Sequence, residues 1–132
     1  MRVAVAGLGF SWAAVDEVKA FFAERLATLT AVGIDPAALC FDPGIGFGKT
    51  VAHNLALLRA LAELSVAGRP LLLGVSRKSF IGQVLESTDL NLRDWPTVAI
   101  TANAREKSVM LHRVHSVKPN LEALRMTEAI LG

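Results

Sequence analysis

The chain has 132 residues, 52% of them hydrophobic and 20% charged, with 14 Lys and Arg against 12 Asp and Glu. That length holds one domain, the apolar content excludes a disordered tail, and a single cysteine, Cys40, excludes an internal disulfide or a multi-cysteine metal site. A net charge of +2 without a run of Lys or Arg gives no ground for a nucleic-acid partner, and no apolar run approaches the ~20 residues of a membrane span.

In chain order, Val3 to Phe10 reads as a short strand and lacks the small-residue cleavage site of a signal peptide, so the expected location is the cytoplasm. Ser11 to Val32 predicts a helix, with Val15, Val18, Phe22, Leu26 and Leu29 on one stripe and Gly33 as its stop. Leu39 to Asp42 predicts a buried strand that opens into a loop at Pro43-Gly44. A helix over 54–67 carries Leu55, Leu58, Leu61 and Leu64. Pro70 to Val75 predicts a second buried strand, and 78–85 a short helix. A polar loop covers 89–95, and Pro96 opens a helix to Lys107. Val109 to Val117 predicts a third strand, and Pro119 to Leu131 a final helix. Alternating strands and helices imply parallel strands with right-handed crossovers, whose chemistry gathers beyond the strands' C-terminal ends.

Three groups stand at those ends. Asp42-Pro43-Gly44-Ile45-Gly46-Phe47-Gly48-Lys49-Thr50 misses the phosphate-binding GxxxxGK[ST] pattern because Pro43 holds the first glycine's place. It is either a tight turn or a ligand loop, and Asp42 at the end of an apolar strand is costly unless paired or ligand-bound. Gly74-Val75-Ser76-Arg77-Lys78-Ser79 puts two cations and two hydroxyls where a helix begins, which suits an anion or else a solvated cation pair. In the third strand, alternation places Arg113 and His115 on one face, a donor set suited to phosphate. His112 and His53 read as packing residues, and Cys40 and the methionines as core. One site could join Asp42, Lys78, Arg113 and His115.

Together these segments resemble the dihydropteroate synthase family, which sulfonamides inhibit. Residues 42–49 are similar to its DPGxGFGK segment, 74–82 to its GxSRKSxIG segment and 113–117 to its RVHDV segment, in the right order over roughly residues 12–132. Residues 1–11 match nothing recognisable. The resemblance implies the C-terminal half of a TIM (β/α)8 barrel, one partial pterin-binding domain over 1–132, since a whole barrel takes about 250 residues. The implied reaction joins p-aminobenzoate to hydroxymethyl-dihydropterin diphosphate and releases diphosphate. Asp42 and Lys78 would hold the pterin; Phe47, Ser76 and Arg77, beside Gly74, would shape the p-aminobenzoate pocket. Arg113 and His115 would bind the departing diphosphate, with Lys78, Arg113 and His115 as the catalytic set. Magnesium would accompany the diphosphate, its protein ligand being an Asn outside this half, so no metal ligand is assigned. Three residues depart from the family pattern: Ser116 stands for the Asp of RVHDV, and Pro96 and Ser108 for glycines.

The alternative is a truncated pterin-barrel fragment without turnover, or one that needs a complementing N-terminal half. Half a barrel is expected to expose Leu71, Leu73, Val109 and Leu111 on its inward face, and so to self-associate or require that half.

Overall fold

The computed structural model describes residues 3–6 and 14–132; residues 7–10 of the expected first strand and 11–13 of the expected first helix lie outside them. Four short parallel strands alternate with five helices among the described residues. Strand β1 (Val3–Ala6) pairs with β2 (Leu39–Asp42), and β3 (Leu72–Leu73) pairs with β4 (Leu111–His112), both in parallel. A bridge between Phe41 and Leu71, with the Phe41 N–H donating to Pro70 O at 3.0 Å, joins the two pairs.

Helix α1 (Ala14–Ala31) buries Ala14, Val18 and Phe22. Its stop is the expected one: Gly33 has φ +90°, its N–H reaches Thr30 O and the Ile34 N–H reaches Leu29 O, a double closure that needs a left-handed residue. Strand β2 is buried at all four positions. Helix α2 (Val51–Arg59) begins earlier than the leucine stripe suggests, because the Thr50 hydroxyl caps it by accepting from the His53 N–H. It also ends earlier: the stripe continues through a 3-10 turn, Leu61–Glu63, which still buries Leu61 and Leu64. Helix α3 (Ser79–Val84) matches expectation. The expected polar loop over 89–95 is a 3-10 turn, Leu90–Arg93, running into helix α4 (Asp94–Glu106). Pro96 therefore sits inside the first turn of α4, where its missing N–H is harmless.

The third strand is much shorter than the alternation of residues 109–117 implies. Only Leu111 and His112 pair in β4, and helix α5 (Val117–Leu131) starts two residues before Pro119. After the Arg113 N–H donates to Leu73 O at 2.9 Å, side chains rather than a ladder hold the segment. The strand over 70–75 is likewise reduced to two residues, flanked by the Leu71 bridge.

The expected exposure of the inward face is also corrected. Leu71, Leu73 and Val109 are buried in the core with Phe22, Phe41, Leu57 and Ala104, and of the four only Leu111 is partly exposed. Residues 71 and 73 lie on the side of β3 that the helices cover; it is Leu72, paired with Leu111, that shares the open side. Cys40 is buried as expected, whereas Met110 and Met126 are exposed rather than core. Phe22 and Phe41 centre the core with ring centroids 4.8 Å apart. Helices α4 and α5 meet along a polar seam, where Thr101 Oγ1 donates to Asn120 Oδ1 at 2.7 Å and Arg105 pairs with Glu128 at 3.0 Å.

Candidate functional site

The loops after β2, β3 and β4 converge at one end of the strands. The loop after β2 folds on itself: Asp42 Oδ1 accepts from the Gly44 N–H at 2.8 Å, and Asn54 Oδ1, from inside α2, accepts from the Gly46 N–H at 2.8 Å. Gly46 has φ +87°, and a Cβ there would come within 2.8 Å of Lys78 Cδ. That missing side chain lets the Lys78 stem cross from the loop after β3. Its Nζ donates to Ile45 O and lies 4.5 Å from the centre of the Phe47 ring, a cation–π distance. Lys49 Nζ donates to Gly44 O at 2.9 Å and stiffens the same loop.

A cavity of about 410 Å³ opens between the loops after β3 and β4, lined by Gly74, Ser76, Lys78, Arg113, Val114 and His115. The strand-end motifs thus bring together Gly74, Ser76, Lys78, Arg113 and His115. Arg113 and His115 reach the cavity from a loop, not from a strand face. Gly74 stands beside Arg113, and a Cβ on it would sit 2.8 Å from Arg113 Nη2. Among the described residues Arg113 has no carboxylate partner, so its guanidinium fork is available to a ligand. Ser76 Oγ lies 2.7 Å from His115 Nδ1 and accepts from the His115 N–H at 3.1 Å.

Asp42, Phe47 and Arg77 do not line this cavity. Asp42 is buried beside it, near enough for its charge to act on Lys78, and the two make no direct ion pair. Phe47 is 48% exposed on the rim of the loop after β2. Arg77 turns to Asp94 at the start of α4, with Nε and Nη2 donating to its two carboxylate oxygens at 2.8 and 3.0 Å. Asn54 and Asp94 are site residues that motif reading passes over. Asn54 carried a signal, a polar residue in a leucine stripe; Asp94, in a polar stretch, carried none. His112 is half-buried against Val109 O, a packing role as expected.

Burial lowers the Lys78 pKa from its ordinary value; Asp42 opposes this, and Arg113 and Lys49 add to it by repulsion. A lowered lysine pKa means the ammonium is lost earlier as pH rises. Anion affinity is therefore expected to fall through that lowered value, at a lower pH than an ordinary lysine would give. Pyrophosphate titrations across alkaline pH check this, and Lys78→Arg, which stays charged, should flatten the fall. Among the described residues no three His, Cys, Asp or Glu side chains come together as a metal-holding group. No described helix is long and apolar enough to cross a membrane.

A family model described as pterin binding enzyme matches residues 7–115. The dihydropteroate synthase of Neisseria meningitidis serogroup C is 43% identical over 117 residues, covering 88% of this chain and 41% of its own. The solved dihydropteroate synthase of Xanthomonas albilineans with 4-aminobenzoic acid superposes with a TM-score of 0.95 at 33% identity, over all of this chain and 50% of that one. The same organism's enzyme in complex with 7,8-dihydropteroate gives 0.95 at 34% identity, over all of this chain and 51% of that one. The chain thus spans less than half the length of the curated relative and about half of the solved chains, and its fold is that of about half a TIM barrel.

Proposed function

The chain belongs to the pterin binding enzyme family, and on that premise we propose that it forms the diphosphate-binding side of a dihydropteroate synthase. The observation that carries this reading is the cavity where Lys78, Arg113 and His115 converge with Arg113 unpaired by any described carboxylate. The C–O bond from the pterin methylene to diphosphate breaks, and the p-aminobenzoate nitrogen takes its place. The departing group gains negative charge on oxygen. Preplaced cations meet that charge without reorganising, which lowers the barrier. Asp42 spends Oδ1 on the Gly44 N–H and keeps Oδ2 for an N–H of the pterin ring, with Lys78 at the ring's other edge. Phe47, Gly74 and Ser76 shape the side on which p-aminobenzoate enters, and Arg77 supports the loop behind them. Sulfonamides would compete there. Magnesium would arrive with the diphosphate, held by ligands outside the described residues.

The reaction takes place in the cytoplasm, and these residues need the rest of the barrel to complete the pterin site, supplied by a complementing N-terminal half. The partly exposed Leu72 and Leu111 on the open side of the sheet support such a contact. The test mixes the 132-residue chain with the N-terminal half of a relative and follows diphosphate release from pterin diphosphate and p-aminobenzoate. Turnover by the mixture and not by either half is expected. A mixture that binds pyrophosphate yet never releases product would favour the inactive alternative, and a chain that binds no pyrophosphate would sink both.

A further inference from the structure

Five residues on three elements close a ring beside the anion cavity, which Ser76 and His115 line. Ser76 is bonded in sequence to Arg77, Arg77 holds Asp94 through two hydrogen bonds, Ser116 Oγ donates to Asp94 Oδ2 at 3.2 Å, and Ser116 follows His115, whose Nδ1 returns to Ser76 Oγ at 2.7 Å. Arg77 sits in the ring with φ +57°, a conformation costly for a residue with a Cβ. Its carbonyl accepts from Arg93 Nη1 at 2.9 Å, and its N–H reaches Thr97 Oγ1 at 3.4 Å, so α4 and the turn before it hold that conformation from outside. On the other side, Asn120 Nδ2 donates to Ser116 O at 2.7 Å.

We propose that Asp94 is a positioning residue for the anion site: through Arg77 and Ser116 it fixes Ser76 against His115, so that the imidazole presents Nε2–H to the departing diphosphate. Ser76 Oγ accepts from the His115 N–H and keeps a proton and a second lone pair for the Nδ1 2.7 Å away; in the proposed arrangement it gives Nδ1 the proton. A hydroxyl donating to Nδ1 leaves that nitrogen unprotonated and places the ring proton on Nε2, a donor even in the neutral imidazole. The short distance between the two depends on both loops being held, and Asp94 is the side chain that touches both. Asp94 thus acts through others and contacts no ligand itself. This inference rests on the reading of the cavity as a diphosphate site, but its ring can be tested without ligand.

The measurement is the ring ¹⁵N shifts of His115 in the 132-residue chain above the imidazole pKa, with pyrophosphate titrated alongside. The wild-type ring should show protonated Nε2 and bare Nδ1. Asp94→Asn keeps the shape and removes the charge; it should mix the two tautomers and weaken pyrophosphate about ten-fold. Should Asp94→Asn fail to fold, Ser116→Ala opens the ring at one hydrogen bond, with the same change in the shifts and an about three-fold loss. A wild-type ring protonated on Nδ1 overturns the proposal. So does lost affinity with unchanged His115 shifts, or no change of either kind. If wild type binds no pyrophosphate, the diphosphate reading fails, and the ligand-free shifts still decide whether Asp94 sets the tautomer.

Discussion

Arg113→Ala should weaken pyrophosphate binding by roughly 100-fold or more, measured by calorimetry on the 132-residue chain. The guanidinium lines the cavity and has no described carboxylate partner, so a phosphate oxygen pair loses nothing to competition there. Hydrogen bonds to a charged group contribute about 1.5–3 kcal/mol each, and a fork makes two, while every ~1.4 kcal/mol is ten-fold in affinity. Arg113→Lys keeps the charge and loses the fork, so an about ten-fold loss is expected. Gly74→Ala reaches the same side chain from the other direction. Its Cβ would stand 2.8 Å from Nη2 and 3.2 Å from Nε, and the flexible end of Arg113 must move. Gly74→Ala should therefore weaken the anion while the fold survives. An Arg113→Ala chain that titrates like wild type would remove the basis for the diphosphate site.

The legible parts of this molecule were those with a local cause. Gly33 stops α1 because the closure demands a left-handed residue, and β2 is buried as its unbroken run of Leu39, Cys40 and Phe41 requires. That Lys78, Arg113 and His115 would come together was legible because a parallel βα chain puts strand ends together, whereas Asp42, expected with them, lies beside the cavity they line. What could not be read was non-local. Residues 113–117 alternate like a strand, yet the Ser76–His115 hydrogen bonds and the early start of α5 claim that backbone. Which side of β3 the helices cover is decided by Phe41 meeting Leu71, a contact 30 residues apart. Asp94 shows the limit most clearly. Nothing near it in sequence marks it, and its partners Arg77 and Ser116 lie 17 and 22 residues away.

Phe41→Ala should be the most damaging single change to the fold, lowering unfolding free energy by about 3–5 kcal/mol in urea melts. The ring is fully buried, lies 4.8 Å from the Phe22 ring, and belongs to the residue whose backbone joins β2 to β3. Removing it opens a cavity lined by Phe22, Leu71 and their neighbours, which the strands on either side hinder from collapsing. A domain holds only about 5–15 kcal/mol in total, so at the low end of that range this loss leaves a measurable unfolded fraction near room temperature. The site should suffer with it, because Asp42 and the loop carrying Gly44 and Gly46 hang from the end of β2. Phe47→Ala is the contrast. That ring is 48% exposed and touches Lys78 by its face, so its loss should cost at most about 1 kcal/mol of stability. Its effect should instead fall on aromatic ligands at the rim. Equal melting of the two variants would mean that the core is not organised around the Phe22–Phe41 contact.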